Sequence, residues 1–193
     1  MIKNRVPEKL KGDLQQLFSS VNKICIVGHH NPDGDAVGSA LGLYLTLKNA
    51  GYDCYVIMPS AAADFLSWLP SFDEIIVYKN ERKKADNLIS ETELLICVDF
   101  NEAKRTGELE RTLVKSDAVK VMIDHHPGPG DFTDYVFSFT DYSSAAEIVY
   151  EFIDFAELSE HFDKDAATCI YTGIMTDTLN FSSVKIPFES EAT

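Results

Sequence analysis

The chain has 193 residues, 45% of them hydrophobic, and a formal net charge of -14. That length and composition suit one ordinary domain with a sizeable core and exclude global disorder. The acidity excludes a general nucleic-acid-binding surface and attraction to anionic membranes; a short anionic substrate stays open wherever metal ions or a few local cations neutralise it.

The N-terminus, Met1 to Arg5, lacks the apolar run of a signal peptide. No stretch has the length of a transmembrane helix, so a cytoplasmic location is expected. A helix is expected from about Glu8 to Val21, then a strand over about 23–28. A helix over about 35–50 follows, stopped by Gly51. A strand at 54–58, a short helix near 61–68, a strand at 74–78 and a polar helix at about 80–90 come next. Leu94–Val98 and Val119–Ile123 read as buried strands, ending at Asp99 and Asp124. The loop Pro127–Asp131 breaks the pattern, and a strand over about 135–139 and helices over about 144–156 and 163–176 follow. Ser144 and Glu147 have capping-box spacing. Residues Pro187 to Thr193 look like a linker. Alternating β and α elements imply an α/β fold: a doubly wound, mostly parallel sheet with helices on both faces. Cys25, Cys54, Cys97 and Cys169 form no C-x-x-C pair and read as buried free thiols of a reducing compartment.

Functional residues of open α/β sheets gather at the carboxyl ends of the strands. Here the first strand is followed by His29-His30-Asn31-Pro32-Asp33-Gly34-Asp35, the Leu94–Val98 strand by Asp99, and the Val119–Ile123 strand by Asp124-His125-His126. Asp177 closes the last helix. Taken singly, Asp33 or Asp35 reads as a helix N-cap, Asp99 as a turn residue, the histidines as surface or satisfied residues, and Asp177 as a helix end. Jointly, four of the five histidines and at least four acids fall where a parallel sheet converges them. Carboxylates mixed with imidazoles suit Mn²⁺, with Mg²⁺, Co²⁺ or Zn²⁺ as other occupants. So many acids fit two ions sharing a carboxylate, a centre suited to phosphoryl displacement. Gly34 is expected to let the chain turn between ligands, Gly38 to allow close helix–sheet approach, and the first amides of the 35–50 helix to receive a phosphate oxygen. Lys104 and Arg105 read as a solvated turn. No G-x-G-x-x-G follows the first strand, which disfavours a dinucleotide site.

The set His29-x-Asn31-Pro32-Asp33-x-Asp35-x-x-Gly38-Ser39, Asp99, Asp124-His125-His126 and Asp177 resembles the DHH phosphoesterase family over about residues 20–180. The resemblance implies a two-metal hydrolase, usually with Mn²⁺. By motif position, His29 and Asp33 look like ligands of one ion, Asp35, His125 and Asp177 like ligands of the other, and Asp99 like the bridging carboxylate. His126 resembles the family's phosphate-contacting histidine, which also assists proton transfer. Asp124 looks like its catalytic companion, orienting a histidine ring. Asn31 either supports the site or contacts a phosphate.

The Asp124-His125-His126-Pro127 sequence with its Gly-rich loop looks most like the branch of bifunctional oligoribonucleases and 3′,5′-bisphosphate nucleotidases. The implied substrates are short RNA or nucleotides, not long nucleic acid. Pyrophosphatase, exopolyphosphatase and cyclic-dinucleotide phosphodiesterase branches are alternatives, and a non-catalytic nucleotide-sensing module is an alternative of another class. Full-length members carry a C-terminal DHH-associated lobe with a Gly-Gly-His motif and basic substrate contacts. The expected organisation is therefore a DHH domain over 1–185 and, over 186–193, the start of a linker to that lobe, with a homodimer compatible.

Overall fold

The computed structural model describes residues 1, 2, 5–180 and 182. The expected linker at 186–193 lies outside the described residues. Helix α1 (Glu8–Ser20) leads into β1 (Lys23–Val27), α2 (Gly34–Asn49) and β2 (Asp53–Met58). Strand β3 (Ile76–Val77), α3 (Tyr78–Glu91), β4 (Leu94–Val98) and α4 (Glu110–Lys115) follow. Strands β5 (Val119–Asp124) and β6 (Tyr135–Ser138) precede α5 (Ala145–Phe155) and α6 (Lys164–Asp177). The six strands form one sheet in the order β3-β2-β1-β4-β5-β6, and every described pairing is parallel.

Alternation along the strands divides the core between the faces of the sheet. Ile24, Ile26, Leu94, Ile96 and Val98 pack with residues of α1, α2, α5 and α6. Cys25, Val27, Leu95 and Cys97 pack with residues of α3 and α4. Strands buried on both faces explain the unbroken apolar runs. The four thiols are buried and free. No helix among the described residues is long and apolar enough to cross a membrane.

Several elements differ from expectation. The short helix at 61–68 is a single 3-10 turn, Asp64–Leu66: Leu66 and Leu69 are buried, whereas Phe65 and Trp68 point outward. The strand at 74–78 shrinks to Ile76–Val77, because Tyr78 already begins α3. The expected solvated turn at Lys104 and Arg105 is a 3-10 stretch, Ala103–Leu109, running into α4. Only Thr106, Leu109 and Leu113 of these two elements are buried, too few to mark a period in the sequence.

Gly38 serves a helix–helix contact rather than the expected helix–sheet one. A Cβ there would lie 2.5 Å from the Cys169 carbonyl oxygen and 2.7 Å from the Gly173 nitrogen, both on α6. Gly34 has no positive φ; a Cβ there would strike the Thr176 side chain. The positive φ values near the site belong to Asn31 (55°) and Asp99 (62°). Together with Gly42, which faces Ile170, these glycines form a stripe along α2 that seats α6 closely. Asp177, at the end of α6, is thereby brought to the start of α2.

Candidate metal centre

In this strand order the direction of winding reverses between β1 and β4, and a crevice opens at their carboxyl ends. The loops there carry His29, Asp33 and Asp35 after β1 and Asp99 after β4. Strand β5 delivers Asp124, His125 and His126 from the neighbouring position.

Asp99 lies at the centre and is 2% exposed. Its Oδ2 is 3.4 Å from His29 Nε2, and its Oδ1 is 3.7 Å from His125 Nε2. The two oxygens of one carboxylate thus face two different imidazoles. On one side, Asp33 Oδ1 lies 4.0 Å from His29 Nε2. On the other, Asp35 Oδ2 is 3.8 Å and Asp177 Oδ2 is 3.7 Å from His125 Nε2. His29, Asp33 and Asp99 form one group able to hold a metal ion; Asp35, His125 and Asp177 form another. All six ligand candidates are brought together.

The donor chemistry fits divalent cations. His29 Nδ1 hydrogen-bonds the His30 carbonyl at 2.9 Å, so Nδ1 carries the proton and Nε2 presents its lone pair to Asp99. Both His29 Nε2 and Asp99 Oδ1 are buried without a hydrogen-bond partner among the described residues. A buried polar pair left in that state is costly unless a cation lies between the donors. Burial, then the charge of neighbouring Asp99, holds the Asp35 carboxyl well above the usual carboxylate range. Burial, followed by Asp33, does the same to Asp99. Burial pushes the His125 imidazole down, favouring the neutral ring that a metal requires. Carboxylates that resist ionisation and an imidazole that resists protonation together make a site suited to positive charge from outside the chain.

Asp33 is the helix cap of its single-residue reading and also lies within the candidate centre. Its Oδ1 caps α2, accepting from the Asp35 amide at 3.0 Å and the Ala36 amide at 3.1 Å, while it faces His29. These two amides, expected to be open to a phosphate, are therefore occupied. Asp35 is held by amides that sequence spacing does not expose: Ala145 N–H donates to Oδ2 at 2.6 Å and Ala146 N–H to Oδ1 at 2.9 Å. The carboxylate thus sits at the N-terminus of α5. Ser39, in the following turn of α2, adds its hydroxyl to Oδ1 at 3.3 Å. Ser144 caps α5 as its spacing implies, accepting from the Glu147 amide, but the Glu147 carboxylate reaches the Ser143 amide instead of that of Ser144.

Asp124 is fully buried. Its Oδ1 accepts from His126 Nδ1 at 2.8 Å and its Oδ2 from the His126 amide at 3.1 Å. That hydrogen bond raises the His126 pKa above the ordinary imidazole value. His126 Nδ1 also lies 3.7 Å from Asp99 Oδ1. Arg105 Nη1 reaches His126 Nε2 at 3.3 Å, so this residue joins the site. Asn31 is tied to the β2 loop: its amide donates to Ser60 Oγ at 2.8 Å.

The profile described as "DHH family, N-terminal domain" matches residues 23–174. The cyclic-di-AMP phosphodiesterase PdeA of Listeria monocytogenes is 29% identical, over 88% of this chain and 27% of its own length. The bifunctional oligoribonuclease and PAP phosphatase NrnA of Bacillus subtilis is 30% identical, over 89% of this chain and 51% of its own length. An exopolyphosphatase-related protein from Bacteroides fragilis superposes with a TM-score of 0.92 at 38% identity, covering 96% of this chain and 54% of that one. The chain spans between about a quarter and half of the length of these relatives.

Proposed function

Because this chain belongs to the DHH family, we propose that it is the metal-binding half of a phosphoesterase acting on short oligoribonucleotides and nucleoside 3′,5′-bisphosphates. The observation that carries the reading is the Asp99 carboxylate, whose oxygens face His29 at 3.4 Å and His125 at 3.7 Å with both ligand groups around them. His29, Asp33 and Asp99 would hold one divalent ion, and Asp99, Asp35, His125 and Asp177 the other. Mn²⁺ suits this mixture of oxygen and imidazole donors. Two such ions supply a water of lowered pKa and neutralise charge developing at phosphorus.

The chain's own residues do the rest. Asp124 fixes the His126 ring through Nδ1, leaving Nε2 directed at Arg105. With Nε2 protonated, as the raised pKa favours, His126 would no longer accept from Arg105 and would offer that proton to an oxygen of the scissile phosphate or to the departing oxygen. Asn31 holds the β1 loop against the β2 loop through Ser60.

The reading includes a second, C-terminal lobe that supplies further substrate contacts; matches spanning about half of the longer NrnA relative support it. A reducing, cytoplasmic setting suits four buried free thiols. The full-length protein with Mn²⁺ is expected to release nucleoside monophosphates from di- to pentanucleotides and phosphate from adenosine 3′,5′-bisphosphate. Asp99→Asn is expected to abolish both.

The likeness to PdeA and to the exopolyphosphatase-related protein supports a second reading, hydrolysis of cyclic dinucleotides or polyphosphate. Relative rates on a dinucleotide, cyclic di-AMP, pyrophosphate and polyphosphate separate the two. Tight nucleotide binding with no turnover of any of them under Mn²⁺ would instead mark a nucleotide-sensing module.

A further inference from the structure

A cleft of about 560 Å³ adjoins the metal-ligand cluster, and His30, Lys79, Lys104, Arg105 and Glu108 are among the residues that line it. Three cations and one acid face this cleft in a chain with 31 acidic and 17 basic residues, so the local charge opposes that of the molecule. Lys104 is paired with Glu102, and Glu108 with Arg82 at 3.2 Å. Lys79 and Arg105 have no carboxylate partner within ion-pair distance among the described residues.

Arg105 is held rather than loose. Its amide donates to the Glu102 carbonyl at 3.0 Å, and its carbonyl accepts from the His30 amide at 2.8 Å. Gly107, at φ 58°, kinks the 3-10 stretch after Arg105 and faces His30. The His126 ring joins the two regions: Nδ1 is 3.7 Å from Asp99, and Nε2 is 3.3 Å from Arg105. The cleft therefore begins one imidazole away from the metal ligands. A half-buried guanidinium and a lysine that line one cleft, neither with a carboxylate partner among the described residues, favour a phosphate group over neutral ligands.

We infer that this cleft binds the non-scissile phosphate of the substrate, so that the DHH domain itself reads a nucleotide bearing two phosphates. The inference rests on the phosphoesterase reading for the identity of the scissile group, and on the cleft alone for binding.

The test uses full-length protein and the double variant Lys79→Ala/Lys104→Ala, at two exposed positions. The first measurement is the ratio of kcat/KM for adenosine 3′,5′-bisphosphate to that for adenosine 3′-monophosphate. The double variant should lower it about tenfold, mainly through KM, as expected for loss of charge-assisted contacts to one phosphate. Glu108→Gln should raise the same ratio, an opposite sign that a merely structural role would not produce. The second measurement is calorimetric binding of adenosine 5′-monophosphate to EDTA-treated protein, which should weaken about tenfold in the double variant. Equal ratios and equal affinities in wild type and variants would overturn the inference. Lysine-dependent binding in a wild type without turnover would support the cleft and sink the phosphoesterase reading. A wild type that neither binds nor turns over would sink both.

Discussion

Asp99 occupies a left-handed backbone conformation, φ 62°, with a nearly inaccessible carboxylate between two imidazoles. Such a placement costs stability in the metal-free chain and persists because the surrounding structure fixes it. Burial, with Asp33 next, raises the Asp99 pKa above its unfolded value. An acid raised in this way binds more protons folded than unfolded, so metal-free stability falls as pH rises from about 3.9 through the folded pKa. Asp99→Asn removes that titration. Metal-free Asp99→Asn is therefore expected to have a urea midpoint above wild type at pH 7, with the gap closing as pH falls towards the ordinary carboxylate range; a constant gap would count against the assignment. The same variant should lose Mn²⁺ binding. Asp124 acts one step away, holding the His126 ring and amide at 2.8 and 3.1 Å. Asp124→Asn is expected to lower kcat about 10- to 100-fold, the usual cost of losing an orienting partner. The basic limb of the pH–rate profile should move to lower pH, because Asp124 is what raises the His126 pKa. Calorimetric Mn²⁺ affinity should change far less than kcat. The convergence of these acids and histidines was legible in the sequence because they cluster at strand ends. Arg105 was not: its contact with His126 depends on the 3-10 path of Ala103–Leu109 and on Gly107, neither of which has a hydrophobic period to announce it.

At the scale of elements, the centre is set by how closely α2 and α6 approach. Asp35 lies in the first turn of α2 and Asp177 in the last turn of α6, and their carboxylates meet His125 at 3.8 and 3.7 Å. A Cβ on Gly38 would sit 2.5 Å from backbone of α6, and one on Gly173 would sit 2.7 Å from Ala146 Cβ of α5. Because backbone cannot rotate out of the way, Gly38→Ala must push the helices apart. The expected cost is about 1–3 kcal/mol by urea unfolding, in the range of overpacked cores. Separation should also weaken the second ion, the one assigned to Asp35, His125 and Asp177, more than the first. Calorimetric Mn²⁺ titration should then resolve one weakened and one retained binding step; two retained steps would mean that helix spacing does not set the ligand distances. The long helices and buried strands matched their sequence reading to within a residue or two, since tertiary packing follows apolar period there. Gly38 was legible as a point of close approach, yet its partner, α6 rather than the sheet, was not. Local pattern shows that a helix face is smooth, whereas which element rests on it is decided by chain path. The amides of Ala145 and Ala146 that hold Asp35 are a similar case, contributed from a distant part of the chain.

For the molecule as a whole, alternating β and α elements made the parallel, doubly wound class legible, but not that Asp99 follows the strand beside β1. The order β3-β2-β1-β4-β5-β6 places those two loops at the point where the winding reverses. That placement concentrates acidic groups in an already acidic chain, with a net charge of -14. The metal-free fold therefore carries both a general self-repulsion and a local one at Asp35, Asp99 and Asp177. Divalent ions that bound only the folded state would offset the local part by mass action. At about a hundred times Kd the gain is about 2.7 kcal/mol per site. For a chain of this size that corresponds to about 5–10 °C in Tm. EDTA treatment should lower Tm by at least that amount, and Mn²⁺ should restore it in wild type but not in Asp99→Asn. Sodium chloride discriminates between the two sources of repulsion, since at about 0.1 M it screens exposed charges more than about 10 Å apart and hardly affects buried carboxylates. Raising monovalent salt in EDTA should thus recover only a small part of the loss. Full recovery by salt alone would place the repulsion on the surface and remove the thermodynamic case for a buried metal centre.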